Sequence, residues 1–465
     1  MTTFLLPAEP ITSLDAYLAT DWGGLGVQRS QEIGPTATID VVTASGLRGR
    51  GGGGFPTGRK WASIAAQTGT RRFVVCNGAE GEPGTFKDRA LMRGNPYQLV
   101  EGVVIAAFAV AAEEAFICLK GSFERERAAV TRAVQEFQAA GICADCTMTI
   151  VAGPDEYLFG EEKAMLEVIE GKPPLPRWFP PFEHGLFAAD PQLGWEATPR
   201  SGSRGGPNPT LVNNVETLSN VPQILARGSE WFRSMGTAES PGTVVVTVVG
   251  DVVAPDVGEV ELGTPLGAAI DAVGSGVAPG RRVKAVLSGV ANPVVTAVDL
   301  TVPLSYEGFT AIGSGMGAAG FIIYDDTACM VDVAYQLSRF LYIESCGQCP
   351  PCKIGSGEIT QHLEQLAIGA GDSDDLRGIV HWLDRVTDGN RCYLAVEEQL
   401  LVRSILRGFA DEFTQHVESG RCPLRRMLPI PKLVDLADGT AIHDETFWRK
   451  RPDWTFEPEE GSNST

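Results

Sequence analysis

The chain has 465 residues, 43% of them hydrophobic, and a formal net charge of −20 at pH 7. That length suits two to four domains, each with its own core. The acidic balance speaks against nucleic acid as a partner, and ten cysteines are too few for a secreted disulfide scaffold.

The N-terminus, MTTFLLPAEPITSLDAY, has no basic segment and carries Pro, Glu and Asp early, so no secretory signal is expected. Residues 1–35 read as an N-terminal extension. After Pro35, TATIDVVTAS predicts a short helix that stops where glycines begin. Strands are expected at 71–77 (RRFVVCN), 116–121 (FICLKG) and 146–153 (CTMTIVAG), separated by helices in NPYQLVEGVVIAAFAVAAEEA and FERERAAVTRAVQEFQAAG, with a further helix near EEKAMLEVIEG. This alternation argues for a parallel α/β sheet, with ligands outside the carboxyl ends of its strands. The apolar run Gly102–Ala112 is too short to span a bilayer and reads as a buried helix. A cytoplasmic protein is therefore expected, reaching a membrane only through partner subunits.

PPLPRWFPP (173–181) and GSRGGPNP (202–209) are rich in breakers and predict a long loop beside a ligand site. From about 240 to 320 the pattern is β-rich with frequent turns, and from Thr327 it becomes helical. The last residues, GSNST, are polar and are expected to be disordered.

Two stretches carry chemistry. Cys346-Gly-Gln-Cys349-Pro-Pro-Cys352 is a C-x2-C-x2-C run, and Cys392 follows forty residues later. That pattern can ligate a 4Fe–4S cluster. A structural zinc site is the alternative, although zinc usually shows paired C-x2-C knuckles. The run after the triple should start a helix whose positive end favours the cluster's negative charge. Cys143-Ala-Asp-Cys146 could be a redox dithiol, but it lacks a second pair and is taken as two structural thiols. Cys76 and Cys118 end strands and are expected to be buried, and the spacing of Cys329 and Cys422 fits no ligand pattern.

The other stretch is GLRGRGGGGFPTGRKW, residues 46–61. Gly49, Gly51, Gly52, Gly53 and Gly54 leave backbone N–H groups uncovered for a phosphate or a flat ring, beside Arg48, Arg50, Arg59 and Lys60. The loop is neither a dinucleotide fingerprint after a strand nor a Walker loop, and a glycine-rich turn without ligand is the alternative.

With these motifs in order, followed by NGAEGEPGTFKDR (77–89), YLFGEEKAM (157–165), TLVNNVETL (210–218) and ESCGQCPPCKIG (344–355), the chain resembles the NADH-binding flavoprotein subunit of respiratory complex I. Its relatives in NAD-linked hydrogenases and formate dehydrogenases share the resemblance, which runs from about residue 40 to 425. It implies a Rossmann-like FMN and NADH domain (36–235), a small soluble-ligand-binding β-grasp domain (236–325), a helical 4Fe–4S domain (326–440) and a tail (441–465). The implied chemistry is hydride transfer between NAD(H) and FMN, then single-electron steps to the cluster, with position and electrostatics supplied by the protein. No side chain is needed as nucleophile, and the histidines fall outside the motifs.

The implied cofactor contacts are Gly49, Arg50, Gly51, Gly52, Gly54, Phe55, Gly58 and Lys60 from the glycine loop. Asn77, Glu80 and Glu82 line flavin and nicotinamide, Tyr157, Gly160, Glu161 and Glu162 form a second wall, and Asn213, Asn214 and Thr217 contact flavin. Cys346, Cys349, Cys352 and Cys392 ligate the cluster. A 2Fe–2S thioredoxin-like subunit and a further iron–sulfur or catalytic subunit are the implied partners. The chain departs from the family in having Ala79 where an aspartate is usual, Gly53 for alanine, and an insertion at 188–208. These departures favour a second reading, an electron-transfer subunit that exchanges electrons with another redox protein and does not use NADH. A cofactor-free scaffold is a third, opposed by the complete cysteine set.

Overall fold

The structure is a computed structural model that describes residues 3–67, 71–143, 146–188, 206–420, 424, 426, 428 and 432–457. Its first sheet holds four parallel strands, β1 (Phe73–Gly78), β2 (Glu114–Lys120), β3 (Thr147–Gly153) and β4 (Thr210–Asn214), in the order β3-β2-β1-β4. Three of the four were expected. β4 was not, because its five residues are wedged between a breaker-rich loop and a helix.

This order puts the reversal of winding between β1 and β4, paired from Phe73↔Thr210 to Asn77↔Asn214. A crevice opens where such a sheet changes direction, beyond the carboxyl ends of its strands. Asn77, Asn213 and Asn214 sit at that place.

Helix Pro96–Val110 is buried along almost its whole length, as its apolar run requires. It crosses helix Val215–Arg227 so closely that a Cβ on Gly102 would lie 2.1 Å from the Leu218 carbonyl oxygen. The N-terminal extension is part of this core. Buried Glu101 accepts from the Tyr17 hydroxyl at 2.5 Å and from the Val27 amide at 2.8 Å, which docks the short helices Leu14–Leu18 and Leu25–Ile33.

A second, mixed sheet contains β5 (Thr243–Gly250), β6 (Asp256–Glu261), β7 (Val283–Ser288), β8 (Val295–Thr296) and β9 (Gly320–Asp325), in the order β6-β5-β9-β7-β8. β5 and β9 pair in parallel at its centre and the other pairs are antiparallel. Beyond it lie helices Met330–Glu344, Pro350–Ile368, Ser373–Leu383, Leu394–Gly408 and Ala410–Ser419. A hairpin of β10 (Leu433–Ala437) and β11 (Thr440–His443) follows, and then a short 3-10 turn at Phe447–Arg449. Among the described residues, no helix is long and apolar enough to cross a membrane.

Candidate functional site

The glycine loop runs between helices Pro35–Ser45 and Thr57–Ala65 and is folded on itself. Gly49 N–H donates to Phe55 O at 2.9 Å, Arg48 Nε to Gly54 O at 2.8 Å, and the Tyr306 hydroxyl to Gly49 O at 2.6 Å. Its tip is free: Gly52 has φ +116°, and a Cβ on Gly52 or Gly53 would meet no atom within 4 Å. The backbone is thus pre-shaped around an open space, as close approach by a ligand demands.

Two expected contacts do not face that space. Arg50 is buried, with its guanidinium donating to the carbonyls of Arg48, Pro241 and Thr243, 3.8 Å from Glu216. It anchors the loop to the second sheet, and its own N–H donates to Thr217 Oγ1 at 2.8 Å. Gly58 lies within a helix where a Cβ would be 2.2 Å from Thr43 Oγ1, so it serves helix packing.

Two adjoining cavities fill the crevice. The first, about 440 Å³, is lined by Gly51–Gly53, Asn77, Ala79, Glu80, Glu82, Tyr157, Gly160, Glu161 and Asn214. Asp88, Asn292, Tyr393 and Glu397 line it too, and the sequence motifs had not singled these out as contacts. The second, about 690 Å³, takes Gly49, Gly54, Phe55, Lys60, Glu162, Asn213 and Thr217 together with Arg59 and Phe182. Gly51, Gly53, Asn77, Gly160, Glu161 and Asn214 line both, so the two cavities share a wall. Lys60 pairs with Glu162 at 3.1 Å. Phe55 and Phe182 present exposed rings to the second cavity.

The polar wall of the first cavity is held by hydrogen bonds. Asn77 Nδ2 donates to Gly160 O at 2.7 Å, joining the strand end to the second wall. Asn214 caps helix Val215–Arg227 and donates to Asp88 at 2.6 Å. Glu80 accepts from Arg89 Nε at 3.1 Å, and Glu82 from the Val290 amide at 2.9 Å. Glu161 caps helix Glu162–Ile169, and the Tyr157 hydroxyl donates to Glu397 at 3.2 Å.

Burial pushes Glu82 and Glu161 up to about 7 and Glu397 up to about 8 from an ordinary 4.5. Between pH 4.5 and 7 the folded chain therefore binds more protons than the unfolded one, so these carboxyls make stability fall as pH rises. Their contribution is complete below 4.5 and is lost as pH climbs through the folded values. Lys120, lowered by burial to about 7, acts in the opposite sense only above that pH. The cofactor-free chain should lose roughly 1 kcal/mol per pH unit for each carboxyl across this window. Denaturant titrations at pH 5 and 7 check this; Glu82→Gln with Glu397→Gln should flatten the slope, and an unchanged slope would refute the assignment.

Cys346, Cys349, Cys352 and Cys392 line one small cavity with Leu158 and Pro176. Cys349 caps helix Pro350–Ile368, so Cys352 already lies in its first turn, earlier than the sequence suggested. Helix Leu394–Gly408 begins two residues after Cys392, and its Leu394 amide opposes the effect of burial on the Cys392 thiol. Two positive helix ends thus face the cage, suited to an anionic cluster. Burial and repulsion between the sulfurs raise the Cys352 thiol, and burial raises Cys392 to about 12. Bound iron would compensate that repulsion. Among the described residues, no three His, Cys, Asp or Glu side chains converge enough to hold a single metal ion. Zinc needs such convergence, whereas a cubane spreads its four sulfurs over four irons. Leu158, Cys392 and Leu394 line both this cage and the first cavity.

Cys76, Cys118, Cys143 and Cys146 are buried, with thiols raised by burial, which suits structural roles. Cys329 contacts His416 Nε2 at 3.3 Å. Cys422 and most of the 188–208 insertion lie outside the described residues.

Residues 42–223 match a family model described as the Nuo51 FMN-binding domain, and residues 332–416 match the NADH-ubiquinone oxidoreductase-F iron-sulfur binding region. An NADH-quinone oxidoreductase subunit of Streptomyces coelicolor is 36% identical over 444 residues, 93% of this chain and 92% of that protein. A NADP-reducing hydrogenase subunit of Solidesulfovibrio fructosivorans is 32% identical over 421 residues, 88% of this chain and 82% of that one. Among solved structures, an NAD+-reducing NiFe hydrogenase in its H2-reduced state superposes with a TM-score of 0.74 at 30% identity, covering 89% of this chain and 68% of that one.

Proposed function

The chain belongs to the NADH-ubiquinone oxidoreductase-F family, and on that premise we propose that it is the electron-entry subunit of a multi-subunit oxidoreductase. In this reading the crevice residues would hold FMN and NADH and the four cysteines would hold a 4Fe–4S cluster, groups that would supply the exchange between hydride and single-electron chemistry. The observation that carries it is the chain of three cavities with shared walls, two lined by the glycine loop with asparagines and carboxyls and one by cysteine sulfur. A redox molecule in the first cavity is separated from the cysteine cage by one layer of side chains, Leu158 and Leu394 with Cys392.

The chain's own groups position and insulate. The Gly51–Gly53 tip offers N–H donors, while Asn77 and Asn214 fix the crevice floor. Glu80 and Glu82 would offer acceptors to a carboxamide or ribose, and Phe55, Arg59 and Lys60, which line the second cavity, would take the adenine and phosphate end of the dinucleotide. Ala79 lines the first cavity with a methyl group, leaving Glu80 and Glu82 as the carboxyls of that loop. The mixed sheet with its central parallel pair supports the β-grasp assignment for 236–325, the four-stranded sheet the Rossmann-like assignment for 36–235, and the helices the cluster domain at 326–440. A 2Fe–2S thioredoxin-like subunit and a further iron–sulfur or catalytic subunit remain the proposed neighbours, with the complex on the cytoplasmic side.

Anaerobic titration tests the reading. The purified chain should show a flavin spectrum that NADH bleaches stoichiometrically. Flavin reduced by dithionite and left untouched by NADH would sink it and favour the carrier that does not use NADH.

A further inference from the structure

The segment 432–457 lies beyond both regions matched by family models, 42–223 and 332–416, and from its sequence it reads largely as a tail. In the structure it is packed into the body. Phe447 is fully buried and Lys450 is 4% exposed. Three lines of contact run from it to the wall of the first cavity.

The first is ionic. Lys450 Nζ lies 2.8 Å from Glu344 Oε1, both buried, and Glu344 Oε2 accepts the Tyr157 backbone N–H at 2.9 Å. The second is aromatic: Phe447 packs on Phe340 with centroids 5.4 Å apart, and Phe340 on Tyr157 at 5.3 Å. Through the third, Arg89 donates one nitrogen to Leu433 O and Val434 O at 3.1 and 3.0 Å and another to Glu80 at 3.1 Å. Tyr157 and Glu80 stand in two different walls of the cavity. A buried carboxylate such as Glu344 keeps its geometry only while its counter-ion is present.

We propose that residues 432–457 form a strap that positions the flavin cavity, holding Tyr157 through Lys450–Glu344 and Phe447–Phe340, and Glu80 through Arg89. Lys450 and Phe447 are positioning residues, since neither lines the cavity. The inference rests on the FMN reading above for its flavin readout and on the cavity geometry alone for its second readout.

The test uses the full-length chain and its variants Lys450→Met, Lys450→Arg and Phe447→Leu, the last chosen to keep apolar volume and lose the ring stack. FMN affinity by flavin fluorescence, the flavin midpoint potential and amide exchange at Tyr157 are measured, with the cluster's EPR signal as a control of fold. Lys450→Met and Phe447→Leu should each weaken FMN binding about tenfold and shift the potential, with Tyr157 exchanging about tenfold faster. Lys450→Arg should stay near wild type, and the cluster signal should not change. Unchanged FMN affinity and Tyr157 exchange in both variants would overturn the strap, as would an arginine variant no better than methionine. A wild-type chain that binds no FMN, yet shows faster Tyr157 exchange on Lys450→Met, overturns the FMN reading and upholds the strap.

Discussion

With Cys349 replaced by alanine, NADH should still bleach the bound flavin while reduction of an artificial one-electron acceptor that draws on the cluster falls by about 100-fold or more. Loss of an outer partner of a metal ligand already costs ~10–100-fold in affinity or activity, and here a direct ligand goes. Cys349 is the residue to choose because it lines only the cysteine cage, whereas Cys392 lines the first cavity as well. Its sulfur sits at the cap of helix Pro350–Ile368, so the helix itself should survive the change. The iron–sulfur EPR signal should vanish and FMN should remain bound at wild-type stoichiometry. Loss of FMN together with the cluster would show instead that the cage holds the crevice shut. Retention of a full cluster signal would remove Cys349 from the ligand set. The companion change Cys392→Ala should disturb both signals, since the same side chain belongs to both walls.

That four cysteines would meet in one cage was legible because the triple is written in local spacing, and the fourth thiol needed only to be the next cysteine downstream. Asn77, Asn213 and Asn214 were legible through their motifs, although the motifs do not say why they meet. The reversal of strand order between β1 and β4 does, and β4 itself went unread because five buried residues between breakers and a helix carry no periodicity. Arg50 shows the limit most clearly. Sequence reports its charge but not its direction, and the side chain turns away from the glycine tip into the second sheet. Glu397 and Asn292 were missed as wall residues because the contacts that bring them to the cavity are long-range, whereas Asp88 lay inside a quoted motif and was passed over. The aromatic residues of 432–457 were the available signal for the strap, since Phe447 and Trp448 are unusual in a segment destined for solvent, whereas Lys450 gave none.

Lys87→Met should destabilise the folded chain by about 3–5 kcal/mol, the cost of stranding buried carboxylates without their cation. Lys87 is 1% exposed, with its ammonium 2.7 Å from Asp88 and 3.2 Å from Asn214 Oδ1. It also lies 2.9 Å from Glu216, in a charge contact that is not aligned as a hydrogen bond. Burial alone would lower its pKa, but Asp88, Glu216 and Glu80 outweigh burial and hold it above the ordinary lysine value. Glu216 in turn accepts the Val245 amide at 2.9 Å, and Asp88 is tied to Asn214 at the crevice floor. One cation therefore joins the switch point of the first sheet to the second sheet. Its loss should lower FMN affinity as well as the denaturation midpoint. Adding Glu216→Gln removes the stranded charge, leaves the charges of Arg50 and Asp88 in balance and keeps an acceptor for Val245, so the double variant should recover at least half of the lost stability. Coupling of that size is expected only for groups in direct contact. A single variant that loses less than about 1 kcal/mol, within the range of exposed ion pairs, would show that the crevice floor does not depend on this charge.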